Sequence, residues 1–132
     1  MGLPAANAQS MAVAVDTHIV MVPSPGGPVP TPLPHSFSGT LNGGTVAMVS
    51  ICGQPAAVKG SAASNSPAHV PTPPGTGFQK PPSNSGEVFM GSATVFIGGK
   101  AAARSSDSVK TCNDPTDLPV GQIVAAGTVF IG

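Results

Sequence analysis

The chain has 132 residues and carries five Lys and Arg against five Asp and Glu, with no net charge at neutral pH. That length fits one domain, and the scattered, balanced charge excludes the basic stripe required by nucleic acid or an anionic membrane. With 17 Gly, 16 Pro, five Phe and neither Trp nor Tyr, a conventional core is hard to build, yet only 8% of residues are charged, unlike disordered chains.

Residues 1–10, "MGLPAANAQS", read as a flexible N-terminal arm, leaving 11–132 as the domain. The arm lacks the positive start of a signal peptide, and Ala6 stands where a myristoylation motif wants Ser or Thr, so synthesis in the cytoplasm without a conventional export signal is expected. Asp16, Ser50 and Gly98 interrupt the apolar runs before they reach the roughly 18 residues of a membrane span. "PSPGGPVPTPLPHSFSG" (23–39) is too proline-rich for a central strand and is expected to cross the surface as an extended loop.

"GTVAMVSICGQPAAVKGS" (44–61) then opens a repeat that recurs as "SATVFIGGKAAARS" (92–105) and, cut short, as "AGTVFIG" (126–132). Each unit reads as a β-hairpin with a glycine turn, and the last stops after its first strand. "SPAHVPTPPGTGFQKPPSNSG" (66–86) is a second surface loop of the first kind, with a histidine near prolines and then a phenylalanine. No segment has helical periodicity. The fold class is therefore all-β, built of repeated hairpins with long Pro/Gly-rich loops, and it needs support beyond its core from a metal, a disulfide or a partner.

The metal-ligating candidates are His18 in "DTHIV", His35, His69 and Cys112 in "KTCND". Imidazole and thiolate suit Zn²⁺, and four such donors would close a tetrahedral structural site. The alternative is a set of solvated loop histidines. Cys52, inside "VSICG", reads as a buried small hydrophobe, and a Cys52–Cys112 disulfide disagrees with cytoplasmic synthesis. Asp16, Glu87, Asp107, Asp114 and Asp117 read as solvated turn residues, with Asp16 also placed to orient His18. No Ser-His-Asp set, phosphate loop or paired carboxylates appear, so no enzyme is expected; the competing classes are a small zinc hydrolase or toxin and a proline-rich adaptor that folds on binding.

"GQPAAVKG" (53–60), "GKAAARSSD" (99–107) and the closing "CNDPTDLPVGQIVAAGTVFIG" (112–132) resemble PAAR-repeat proteins, the spike-tip components of contractile injection systems such as type VI secretion or related phage-tail-like particles. Neither motif copy keeps all four letters. The resemblance implies a small cone-shaped domain with a pseudo-three-fold base and one structural zinc at the apex, held by His18, His35, His69 and Cys112. It also implies a monomer that caps a trimeric VgrG-type spike, sharpens it for membrane puncture and docks effectors. Val95, Ile97, Val129 and Ile131 would face the spike. The protein would be made in the bacterial cytoplasm and leave the cell at the tip of the apparatus.

Overall fold

The computed structural model describes residues 2–132, so Met1 of the expected arm lies outside the described residues. Thirteen strands and no helix make up the regular structure of the described residues. They are β1 (Leu3–Pro4), β2 (Met11–Val22), β3 (Val29–Thr40), β4 (Val46–Ile51), β5 (Gln54–Ala56), β6 (Ala62–Ser64) and β7 (Gly77–Phe78), followed by β8 (Ser85–Val88), β9 (Phe96–Ile97), β10 (Lys100–Ala101), β11 (Ser108–Thr111), β12 (Leu118–Val124) and β13 (Phe130–Ile131).

One sheet runs β3-β2-β12-β11-β8-β6, with β7 added to the far end of β2. The sheet curls until its two outer strands meet. Ser66 N–H donates to the Ser38 carbonyl at 2.9 Å, and Ser38 N–H donates to Asn65 Oδ1 at 2.8 Å. Gly39 makes this closure possible, because a Cβ there would collide with the Ser64 carbonyl.

The sequence pattern of β2 and β3 differs from expectation. Residues 29–40 form no loop; they pair with β2 over their whole length, from Val22↔Val29 to Met11↔Thr40. Pro30, Pro32 and Pro34 are tolerated because alternate residues point their N–H groups to the same edge. All three missing donors lie on the edge of β3 away from β2, the edge from which Ser38 reaches Asn65. The second proline-rich segment, 66–86, does behave as an extended surface crossing, apart from the short β7 and the start of β8.

Below this sheet the chain repeats one unit three times. The β4–β5 hairpin turns at Cys52 and Gly53 (φ 51° and 83°), and the β9–β10 hairpin turns at Gly98 and Gly99 (φ 59° and 82°). Both are left-handed at two successive residues, as a type I′ turn requires. Cys52 is therefore exposed on a turn and not buried in a strand, and both cysteines are free.

The third hairpin is assembled from the two ends of the chain. β13 pairs with β1 in the same register, so Ile131↔Leu3 matches Ile51↔Gln54 and Ile97↔Lys100. Residues 2–10 are thus structured and not a flexible arm: their pairing satisfies the backbone groups of β13, and Ala5 and Ala6 are buried. "LPAANA" (3–8) is the third copy of the motif seen in "QPAAVK" and "KAAARS".

Three backbone hydrogen bonds close a ring where the copies meet. Ala6 N–H donates to Ala103 O (3.0 Å), Ala103 N–H to Ala57 O (3.0 Å), and Ala57 N–H to Ala6 O (3.1 Å). All three alanines are fully buried, since only a methyl group fits so near the pseudo-three-fold axis. A turn follows each one. Asn7 N–H is capped by Ser10 Oγ, Val58 N–H by Ser61 Oγ and Arg104 N–H by Asp107 Oδ2. From these turns β2, β6 and β11 rise, and β3, β8 and β12 return.

The core follows the same symmetry. Ala12, Ala63 and Val109 come from the rising strands, and Leu41, Val88 and Ile123 from the end of each return. Small residues suffice because the cylinder is narrow. The all-β, pseudo-three-fold expectation holds, and its core is thin.

Candidate metal centre

Strand alternation builds the centre. On β2 the even-numbered residues Ala12, Asp16, His18 and Val20 face inward; on β3 the odd-numbered His35 and Phe37 do. Register places Asp16 directly opposite His35, one residue pair from His18↔Leu33 turned outward at Thr17↔Pro34. His69 enters from the 66–76 crossing, and Cys112 lies immediately after β11. The three imidazoles converge, with ring centroids 4.9 Å (His18–His69), 5.4 Å (His18–His35) and 5.5 Å (His35–His69) apart.

Donor atoms meet more narrowly than rings. Cys112 Sγ lies 3.6 Å from His18 Nε2 and 3.6 Å from Asp16 Oδ2. His69 Nε2 lies 3.0 Å from Asp16 Oδ2. One donor atom from each of Asp16, His18, His69 and Cys112 falls within 4.8 Å of all the others, the one such group among the described residues. His35 lies beside this group with both ring nitrogens engaged: Nδ1 is 2.9 Å from the Leu33 carbonyl, and Nε2 accepts the Thr72 N–H at 3.2 Å.

Asp16 is fully buried, and its partner is His69, so it is neither a solvated turn residue nor the group that orients His18. Its other oxygen, Oδ1, accepts the Thr111 hydroxyl (2.5 Å) and the Asn113 amide (3.4 Å). The carboxylate near His18 is that of Asp114, whose Oδ2 lies 3.5 Å from His18 Nδ1 and accepts the Ile19 N–H. That contact lacks hydrogen-bond geometry, which leaves His18 Nδ1 as a buried nitrogen with no hydrogen-bond partner. His69 is fixed by Asn84, which accepts its backbone N–H at 2.7 Å, and by the Asn65 amide 3.1 Å from Nδ1. Phe78 of β7 covers the site, 5.8 Å from His18 and 5.3 Å from His35.

Burial dominates the electrostatics. It pushes the Cys112 thiol above its ordinary value, and the Asp16 charge adds to the shift. It also lowers His35 below 6.5, with the Leu33 carbonyl partly opposing. A metal-free site thus holds a neutral thiol beside a carboxylate, and a divalent cation would reverse that balance by taking the thiolate. The donor set of imidazole, thiolate and carboxylate fits a metal of the zinc class, with His18 Nε2 facing Cys112 and its unpartnered Nδ1 turned towards Asp114.

Residues 79–132 match the family described as PAAR motif. That stretch carries a PAAR motif. The matched stretch contains β8 to β13, and the alanine ring extends the same repeated unit to the residues before it. No curated protein and no solved structure matches the chain. The PAAR motif associates the chain with the spike tips of contractile injection systems, a structural family, and the buried Asp/His/His/Cys group could hold a metal ion.

Of the other residues singled out by sequence, Val129 is exposed, Val95 and Ile97 are half-buried, and Ile131 is buried in a small cluster with Ala5, Ile51, Ala56 and Ala102. Alternation turns Phe96 and Phe130 outward instead, at 62% and 60% exposure. The first unit departs from the other two: a register shift between Val46 and Ser50 makes room for Ala47, Met48 and Val49, and Met48 is 91% exposed. Asn84, Asp114 and Phe78 were not identified as site-building residues by sequence. Asp16 was read there only as a solvated turn residue or as a group orienting His18, from the Asp-x-His spacing along one strand face.

Proposed function

We propose that this PAAR-motif protein is the non-catalytic tip of a contractile injection spike, stiffened by one structural zinc and seated on a trimeric VgrG-type spike. The observation that carries the reading is the ring of Ala6, Ala57 and Ala103 hydrogen bonds, which gives one end of a single chain the symmetry of a trimer. The hairpins around that ring present Phe96, Phe130, Val129 and Met48, an apolar rim of the kind that marks a protein interface. Sharpening for membrane puncture, effector docking, and release from the bacterial cytoplasm at the apparatus tip follow from that seat.

Zinc would be held where His18, His69 and Cys112 converge with a fourth donor, near Asn65, Asn84, Asp114 and Phe78. A structural zinc site contributes on the order of 10 kcal/mol of folding free energy, which offsets the thin core. A hydrolytic site needs an open coordination position, and four donors close the shell. The test has two parts. Elemental mass spectrometry should find one zinc per chain in wild type and a loss in Cys112→Ser. Mixed with a trimeric VgrG-type spike protein, one chain should bind per trimer, and Phe96→Asp with Phe130→Asp should abolish binding while leaving the melting temperature unchanged. Unimpaired binding by that double variant would remove the proposed seat.

A further inference from the structure

We propose that the three grooves between neighbouring units of the base are unequal, and that one of them, formed by Phe96, Lys59 and Lys100, grips an acidic segment of a single subunit of the trimeric spike. This rests on the spike-seat reading above and goes further, by naming the chemistry of the contact and which of the three positions makes it.

The grooves can be compared residue by residue, because the same backbone bond closes each one. Lys59 N–H donates to Ala101 O (2.8 Å), Ser105 N–H to Pro4 O (2.8 Å) and Ala8 N–H to Pro55 O (2.9 Å). Strand register supplies the other positions. Ala101 pairs with Phe96, Pro4 with Phe130 and Pro55 with Ser50, and the next pairs are Lys100↔Ile97, Leu3↔Ile131 and Gln54↔Ile51. The first groove therefore offers Phe96, Lys100 and Lys59, the second Phe130, Leu3 and Ser105, and the third Ser50, Gln54 and Ala8. Of the three, the first alone joins an exposed aromatic ring to two exposed cations.

That groove is a cavity of about 440 Å³ whose lining includes Phe96, Lys59, Lys100 and Glu87. Lys100 Nζ lies 4.0 Å from the point where a side chain on Gly60 would begin, so it reaches across to the residue beside Lys59. The other charges nearby are already matched. Arg104 is paired with Asp107, and Lys110 stands opposite Glu87 on the β8–β11 ladder. Neither Lys59 nor Lys100 has an ion pair among the described residues. Two unmatched ammonium groups beside an exposed phenylalanine complement carboxylates set next to an apolar side chain. Phe96 ties the occupant to the spike, because it both lines this groove and stands on the apolar rim of the seat. A three-fold partner presents the same segment three times, and the tip can match its charge only once.

The full chain is titrated with a trimeric VgrG-type spike protein at ~50 mM and ~500 mM salt. Lys59→Gln with Lys100→Gln should weaken binding roughly 10-fold at the lower salt and by less than ~3-fold at the higher, at an unchanged melting temperature. Lys80→Gln with Lys110→Gln removes the same charge elsewhere and should leave the affinity within ~2-fold. Equal losses from the two double variants would reduce the effect to net charge and overturn the inference, as would undiminished binding by the Lys59 and Lys100 variant. Carbodiimide coupling of the wild-type complex reads the contact without any substitution. Amide links from Lys59 or Lys100 to an Asp or Glu of one spike subunit per trimer are expected; links from Lys80 or Lys110 alone would overturn the assignment and leave the seat standing. A wild-type chain that does not bind the spike at all would instead remove the seat, and the occupant of the groove with it.

Discussion

At the scale of single residues, the structure is decided by atoms that sit where nothing larger fits. Gly39 is one: a methyl group at this position meets the Ser64 backbone, so Gly39→Ala should open the seam between β3 and β6. Its cost should be about 1–3 kcal/mol, the range of overpacked cores, read as a lower melting temperature or urea midpoint. His35 sets an acid limit. Its affinity for a proton is lowered on folding, so below the unfolded value of 6.5 the unfolded chain takes up a proton that the folded chain does not. That contribution is complete above pH 6.5 and is lost as the pH falls, so the metal-free protein should melt at progressively lower temperature under mild acid. A melting temperature that rises between pH 7 and pH 5 would contradict it. His18, His35, His69 and Cys112 were legible in the sequence as candidate donors, because few other residues could serve. The burial of Asp16 among them was not, because a carboxylate reads as solvated until strand pairing shows which way it points.

At the scale of elements, the recurring piece is a hairpin, a pair of small residues, a capped turn and a rising strand. Enlarging a ring position, as in Ala57→Val, puts two methyl groups against Ala6 and Ala103 and should cost 2 kcal/mol or more, roughly, by the same overpacking logic. Ser61→Ala removes one turn cap and should cost ~1 kcal/mol, because Val58 N–H would be left buried without its acceptor. Both changes are measurable by denaturant titration. The β4–β5 and β9–β10 hairpins were visible in the sequence through their turns, since left-handed backbone at two consecutive residues leaves a glycine signature. The third hairpin was missed because its strands are at opposite ends of the chain, and local pattern cannot report a pairing across the whole sequence. "LPAANA" did carry the signal, as a copy of Pro55-Ala56-Ala57. The β2–β3 ladder was missed for another reason: proline content argues against a strand in general, but its spacing of two makes the prolines compatible with one edge.

For the molecule as a whole, the alanine ring and Cys112 of the candidate metal centre belong to one core cluster in which small residues are prominent. Removing the metal with a chelator should therefore lower the melting temperature by more than 10 °C, roughly what several kcal/mol does to a domain of this size. A chain that melts at the same temperature with and without chelator would show that its core suffices. Pro30, Pro32 and Pro34 have a consequence for how such molecules coexist in solution. The outer edge of β3 offers carbonyl acceptors but no amide donors over this run, so a second chain cannot dock there as a continuing strand. A half-strand protein, neutral and weakly charged, would otherwise be prone to stack edge to edge. Replacing the three prolines with threonine should give a chain that still folds yet forms dimers and larger species as its concentration rises, read by light scattering. The wild type should remain a monomer under the same conditions, kept apart from its copies by three absent hydrogens.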